Sequence, residues 1–324
     1  MTLDVSVVMA TYQRPELLAR CLNALTHQSL DPGRYEIIVV DDGCDDATEE
    51  AVNRFAIAHD GRPLIRYLRP MGTRGPAGAR NRGWRASAAP VIAFTDDDTV
   101  PDRDWLREGL AALTAEVSAL AGRVVVPTSE RPTDHEVMTR GLERAEFVTA
   151  NAFVWRSALQ AVNGFDERFR RAWREDSDLH FSLLEHCAPV GWAPAAVVVH
   201  PVRAAPWGLS IRNQANVYFD ALLYKKHPPL YRHKVRRHPP WHYFLIVGCS
   251  VAGLGCLLAG AGWPALMLWA AALAGIAAFA AHPLRGTART PAHVTEMLLT
   301  SAAIPFAAVY WRTLGALRFR TLFP

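Results

Sequence analysis

The chain has little cysteine, and none of it is paired. Its 324 residues carry five cysteines, Cys21, Cys44, Cys187, Cys249 and Cys256, with no C-x-x-C spacing. That argues against a disulfide framework and suits a reducing compartment. No G-x-G-x-x-G follows the first apolar segment; the turn there reads ATYQRPE. Dinucleotide binding of the Rossmann type is therefore disfavoured. The opening stretch MTLDVSVVMATYQRPE holds an acid and only a short apolar run, so it reads as a core strand rather than a signal peptide. The formal charge is only +4 and says little by itself; no nucleic-acid partner is expected. The longest absence is of charge: from His238 to Leu284, about 47 residues, there is no Asp, Glu, Lys or Arg.

What is present is half apolar and one fifth charged, which is globular or membrane-attached and not disordered. Up to about residue 130, strand-like and helix-like segments alternate. VSVVMAT (5–11), YEIIVVDD (35–42), LIRYL (64–68) and PVIAFTD (90–96) are short, apolar and β-branched. PELLARCLNALTHQ places Leu18, Cys21, Leu22 and Leu25 on one helical face. DDATEEAVNRFAIAHD and GARNRGWRASA read as two further helices. Such alternation predicts an α/β fold with a mostly parallel sheet covered on both faces. Ligands on such sheets bind beyond the carboxyl ends of the strands. Thr11, Asp41, Asp42 and Asp96 to Asp98 all stand at those ends. From 131 to 205 the alternation loosens, and this part reads as the completion of the same domain.

Each candidate has a plain structural alternative. Side chains alternate along an extended segment, so Asp96 and Asp98 can point one way together. Two converging carboxylates suit Mg²⁺ or Mn²⁺; a solvated acidic turn is the alternative. A calcium loop fails, because Val100 and Pro101 occupy ligand and glycine positions. Asp41 or Asp42 can accept from a base or ribose, or cap the next helix. In GPAGARNRG (75–83), Arg80 and Arg82 offer planar forks for phosphate or ribose, or simply begin a basic helix. In WREDSDLHF (173–181), Glu175, Asp176 and Asp178 can cap a helix, or one can deprotonate a sugar hydroxyl. Trp173 offers a face for a sugar ring. His200 is either a third metal ligand or a structural histidine.

The order VSVVMATYQRPELLARCLNAL, EIIVVDDGCDD, GPAGARNRGWRASAAPVIAFTDDDTVPDRDWL, ANAFVWRSALQAVNGFDERF and REDSDL resembles the family 2 glycosyltransferases with the GT-A fold, over residues 4 to 201. The resemblance implies that Thr11 and Asp41 hold the base and ribose and that Arg80 sits near the nucleotide. It implies that Asp96 to Asp98 match the D-x-D element for metal and donor diphosphate. Asp97 is expected to face the ribose or turn back into the fold. Asn151 and GFDERF would lie beside acceptor and donor sugar, Asp176 would be the general base, and His200 a metal ligand. The Q-x-x-R-W motif of processive members is missing; IRNQANVY (211–218) only scrambles its letters. That favours transfer of a single sugar; the reaction expected is an inverting one, with in-line attack of an acceptor hydroxyl on the anomeric carbon. Polyprenyl-phosphate sugar synthases are the second reading, and a non-catalytic nucleotide-sugar binding protein the third.

The uncharged run divides at GAGWP (260–264) into two pieces of about 20 residues, each long enough to cross a hydrocarbon core. Gly248, Ala252, Gly253, Gly255, Gly260, Ala271 and Gly275 would let the two helices approach closely. Basic stretches KKHPPLYRHKVRRH and LRGTAR flank the outer ends, which predicts a cytoplasmic catalytic domain by the positive-inside rule. HVTEMLLTSAAIPFAAVYWRTL contains Glu296 and Pro305 and precedes a basic tail. It favours an interfacial or re-entrant helix, with a third span as the alternative. The expected organisation is a catalytic domain (1–205), a basic juxtamembrane segment (206–240), a membrane hairpin (241–282) and an interfacial or third helix with tail (283–324). The expected partners are a nucleotide-diphosphate sugar, the membrane, and a lipid or lipid-linked glycan acceptor.

Overall fold

The computed structural model describes residues 3–284 and 286–324. Met1, Thr2 and, within the basic flank LRGTAR, Arg285 lie outside the described residues. The chain forms two compact units: one runs to Pro127 and resumes over Arg140–Val202, the other comprises Thr128–Thr139 and Arg203–Pro324.

In the first unit β1 (Val5–Thr11), α1 (Pro15–Thr26), β2 (Tyr35–Asp41), α2 (Asp46–Ala58), β3 (Leu64–Leu68), α3 (Pro76–Ala86) and β4 (Val91–Thr95) alternate as the apolar pattern predicts. There follow β5 (Val100–Pro101), α4 (Trp105–Ala112) and β6 (Ala119–Val125). Helix α5 (Asp134–Thr139) belongs to the other unit; β7 (Asn151–Trp155), α6 (Arg156–Ala161), α7 (Glu175–His186) and β8 (Val190–Val199) complete the first. One eight-stranded sheet has the order β3-β2-β1-β4-β7-β6-β8-β5.

The half containing β3, β2, β1 and β4 is parallel. Its strands send alternate residues to opposite faces. Val5, Val7 and Met9 pack with Leu18, Leu22 and Leu25 of α1, while Val8, Ile38 and Phe94 pack with Ala77, Ala79 and Trp84 of α3. The other half is mixed: β7 is antiparallel to both β4 and β6, and β5 to β8, although β6 and β8 are parallel. An inserted antiparallel strand is why the β/α alternation loosens after residue 131.

Register brings the strand ends together. Thr11 pairs with Asp41, and Thr95 pairs with Asn151. Three aspartates therefore leave the sheet beside the ends of β1 and β2. A register shift between Gly122 and Arg123 interrupts the β6–β8 pairing. Gly122 is required there, since a Cβ would come within 2.2 Å of Asn151 Oδ1.

In the second unit α8 (Leu209–Asn213), α9 (Asp220–Lys226) and the one-turn α10 (Pro228–Leu230) precede three long helices, α11 (Trp241–Leu258), α12 (Gly262–Leu284) and α13 (Pro291–Phe319). All three are long and apolar enough to cross a membrane. Two of the small residues lie where α11 meets α12: a Cβ on Gly253 would come within 2.6 Å of Trp269, and one on Gly275 within 2.8 Å of Ile246. Gly248, Gly255 and Gly260 instead face open space. They fall off the contact stripe, which a helix repeats every three to four residues.

Helix α13 packs differently. Glu296 Oε1 accepts from Gly208 N at 2.7 Å, Gly315 abuts the backbone of Tyr218, and Phe319 O accepts from Lys225 Nζ at 2.9 Å. It thus runs lengthwise along residues 208–225, the segment that leads into α11. In its most apolar window 39% is buried, against 11% and 17% for α11 and α12.

Candidate active site

The three aspartates each have a different partner. Arg80 Nη2 donates to Asp96 Oδ1 at 2.8 Å. Thr11 Oγ1 donates to Asp97 Oδ2 at 2.7 Å, and Arg14 Nη1 stands 3.4 Å from the other oxygen. His200 Nε2 lies 3.6 Å from Asp98 Oδ1. Asp97 therefore turns back into the fold, one of its two expected directions. Burial pushes its pKa up to about 6 from an ordinary 3.8, the Thr11 hydroxyl opposing and the charge of Asp98 assisting. Arg14 escaped the sequence reading; its signal was its place directly beyond β1.

Asp96, Asp98 and His200 offer ligand atoms that all lie within 4.8 Å of one another. Two ligands on opposite sides of Mg²⁺ stand about 4.2 Å apart, so the spacing suits one ion. Two carboxylates and an imidazole form a donor set that Mn²⁺ accepts readily and Mg²⁺ less so. His200 Nδ1 is buried with no hydrogen-bond partner among the described residues.

Arg80 is buried and joins this cluster to a second one. Its Nη1 donates to Glu175 Oε1 at 3.1 Å while Nη2 holds Asp96. Both terminal nitrogens of the guanidinium thus hold protein carboxylates, while Nε is buried with no hydrogen-bond partner among the described residues. Glu175 Oε2 is buried with no hydrogen-bond partner among the described residues. Burial, and then the neighbouring Asp176 charge, push the Glu175 carboxyl up. Burial also raises Asp176, opposed by the Ser177 N–H, which donates to its Oδ1 at 2.6 Å. Both acids sit in the first turn of α7, where the exposed N–H groups favour carboxylates.

Other expected residues stand apart. Asn151 is fully buried: its Nδ2 donates to Arg123 O and Ala196 O, both at 2.9 Å, and its Oδ1 accepts from Trp105 Nε1 at 2.8 Å. It fastens β7 to its neighbours inside the sheet, whereas the resemblance implied a place beside acceptor and donor sugar. Asp41 accepts from Gly43 N, Asp45 N and Tyr67 Oη at 2.7–2.9 Å, three of about four lone-pair directions. Asp42 accepts from Gly75 N at 3.0 Å. Gly75 has φ of 108° and lies against the Arg170 backbone, where a Cβ would come within 2.8 Å. Trp173 is half-buried, with the Arg174 guanidinium 4.7 Å from its ring centroid. Asp178 is buried half a turn beyond Asp176.

The family model for glycosyl transferase family 2 matches residues 6–171. The chain belongs to that family. A second model, glycosyl transferase family group 2, matches residues 91–284. Among curated relatives, this family 2 glycosyltransferase is 27% identical over 225 residues to glycosyltransferase AglE of Haloferax volcanii, covering 66% of this chain and 71% of the relative. It is 31% identical over 216 residues to the pre-mycofactocin glycosyltransferase of Mycobacterium tuberculosis, covering 62% of this chain and 43% of the relative. Among solved structures, the mannosyltransferase PcManGT of Pyrobaculum calidifontis, in complex with GDP-Man and Mn²⁺, superposes with a TM-score of 0.56 at 20% identity, covering 98% of this chain and 85% of that one. Residues 1–349 of S. aureus TarS, in complex with UDP, superpose with a TM-score of 0.50 at 14% identity, covering 99% and 93%. The fold is accordingly GT-A-like, with C-terminal helices long and apolar enough to span a membrane. The protein is a nucleotide-sugar-dependent transferase.

Proposed function

We propose that the chain is an inverting glycosyltransferase that moves one sugar from a nucleotide-diphosphate sugar to a hydroxyl of a lipid or lipid-linked glycan acceptor. The observation that carries this reading is the pair of ion pairs that buried Arg80 makes with Asp96 and Glu175, which ties a candidate metal cluster to the acidic first turn of α7. Asp176 takes the proton of the acceptor hydroxyl. The oxygen forms its bond to the anomeric carbon as the bond to diphosphate breaks, and the electron pair leaves with the nucleoside diphosphate. A raised pKa suits a general base, because a stronger base drives the transfer further. Glu175 and Arg80 orient this turn, and the Arg80 charge would help offset the negative charge that develops on the departing diphosphate. Asp96, Asp98 and His200 would hold Mg²⁺ or Mn²⁺, which supplies charge neutralisation on the diphosphate. Thr11 and Asp41 would flank the base and ribose; Trp173 and Asp178 would lie toward the acceptor.

We infer membrane attachment through the α11–α12 hairpin, with the catalytic unit on the cytoplasmic side. The basic residues on both flanks of the hairpin support that side. The lengthwise packing of α13 on residues 208–225 supports an in-plane helix over a third span. The test is a diphosphate-release screen of sugar nucleotides with Mn²⁺ or Mg²⁺ and membrane lipid extract, followed by NMR of the product's anomeric centre. Retention of configuration, or release of pyrophosphate, sinks the mechanism. Transfer to a lipid phosphate oxygen instead of a hydroxyl selects the polyprenyl-phosphate sugar synthase reading.

A further inference from the structure

The second unit contains a cavity of about 480 Å³ that none of the catalytic candidates lines. Its walls include Phe244 in the first turn of α11, and Arg312, Leu317, Arg320, Thr321 and Phe323 at the end of α13 and beyond. Three features set it apart from ordinary packing space.

The first is charge. Between Glu296 and Arg318, Arg312 is the single charged residue of α13. It is buried, its Nη2 donates to the Phe323 and Pro324 oxygens, and its guanidinium lies 4.2 Å from the Phe323 ring centroid. Asp220, which accepts from Tyr231 Oη at 3.2 Å, is close enough to act on that charge. Arg320 adds a second, exposed cation at the mouth. A cation within an apolar helix is expensive and usually functional.

The second feature is backbone. Arg320 is held at φ 52°, a conformation that disfavours a Cβ. It turns the chain so that Thr321 N donates to Ala316 O at 3.0 Å and the last residues fold beneath Arg312. The strained turn closes one wall of the cavity.

The third is depth. Phe244 opens the hairpin directly after the basic segment, and α13 carries Tyr310 and Trp311 one turn from the cavity, with Trp311 6.4 Å from the Tyr218 ring. Aromatic rings beside basic residues mark headgroup level.

We propose that this cavity holds the phosphate head of an anionic membrane phospholipid between Arg312 and Arg320, with its acyl chains along Phe244 and Leu317. Charge complementarity selects the head and the apolar walls select the chains. The inference rests on the membrane placement above and on no step of catalysis.

The experiment uses the full chain in nanodiscs of phosphatidylcholine alone or with added phosphatidylglycerol, read by thermal unfolding and by native mass spectrometry after detergent washing. Phosphatidylglycerol should raise the melting temperature and remain bound at about one molecule per chain. Arg320→Gln should weaken its retention by about fivefold and leave melting in phosphatidylcholine unchanged. Because Arg320 is exposed, this variant decides the matter even where Arg312→Gln fails to fold. Equal stabilisation by both lipids, or unchanged retention in Arg320→Gln, overturns the proposal. A retained isoprenoid phosphate that the enzyme glycosylates also overturns it, by making the cavity an acceptor site. Failure to float with vesicles of either composition sinks the membrane placement as well, whereas floating without retention sinks the cavity alone.

Discussion

Two acidic turns, Asp41–Asp46 and Asp96–Asp98, look alike in sequence and behave differently in the fold. In the first, backbone donors close in the chain dominate, Gly43 N and Asp45 N for Asp41 and Thr48 N, with its Oγ1, for Asp45, while Tyr67 Oη and Gly75 N add one longer-range donor each to Asp41 and Asp42. In the second, the carboxylates meet groups from 16 to more than 80 residues away: Arg80, Thr11 and Arg14, and His200. Mainly backbone donors describe acids that fix the shape of the chain around them. Distant cation-capable side chains describe a place where the fold has gathered charge at one point. The difference separates acids held mainly by their own turn from acids that the fold has gathered.

The largest test falls on the gathered side. Asp176→Asn should lower kcat by about 10²–10⁴, with nucleotide affinity in a binding titration nearly unchanged. Full activity in that variant removes the base assignment. Arg80→Met should destabilise the fold by about 3–5 kcal/mol, because Glu175 would stay buried without its partner. Chemical denaturation measures this, and a loss below 1 kcal/mol would show that the pair does not join the two clusters.

A smaller effect probes titration. The folded pKa of Asp97 is raised above its ordinary value, so the folded state holds this proton more tightly than the unfolded chain. Its contribution is therefore fully present below about pH 4 and is lost as pH rises through about 6, on the order of 2–3 kcal/mol. Asp97→Asn should flatten that slope in pH-dependent unfolding curves; an unaltered slope assigns it elsewhere. The smallest effect belongs to the first turn. Asp41→Asn should cost about 1–3 kcal/mol of stability through donors left unsatisfied, with kcat of the folded fraction little changed and nucleotide affinity lowered, since the carboxylate also flanks the ribose in the proposed site. If Asp41→Asn instead abolishes nucleotide binding with stability intact, the contrast between the two turns collapses.

The β1–β4 half was legible because each strand is a short apolar run with its own helix, and local pattern suffices for parallel βα units. Strands β6 and β7 were not, since their pairing is antiparallel and long-range. Asn151 shows the same limit: its letter suits a sugar contact equally well, and the choice was made by Trp105, Arg123 and Ala196. In the second unit, apolar length alone leaves α13 equivalent to α11 and α12; the packing of Glu296, Gly315 and Phe319 along residues 208–225 distinguishes it.

By itself the sequence determined which strand ends carry acids, that Asp96 and Asp98 can face one way, and that two uncharged segments follow the catalytic part. Those are properties of spacing, and the chain's own geometry carries them. The tertiary structure decided which acid meets which cation, that Arg80 is shared between Asp96 and Glu175, and that Asn151 is a fastener. Those outcomes depend on the meeting of residues far apart in the chain, in a buried environment where unpaired charge is costly, and no local pattern encodes the partner.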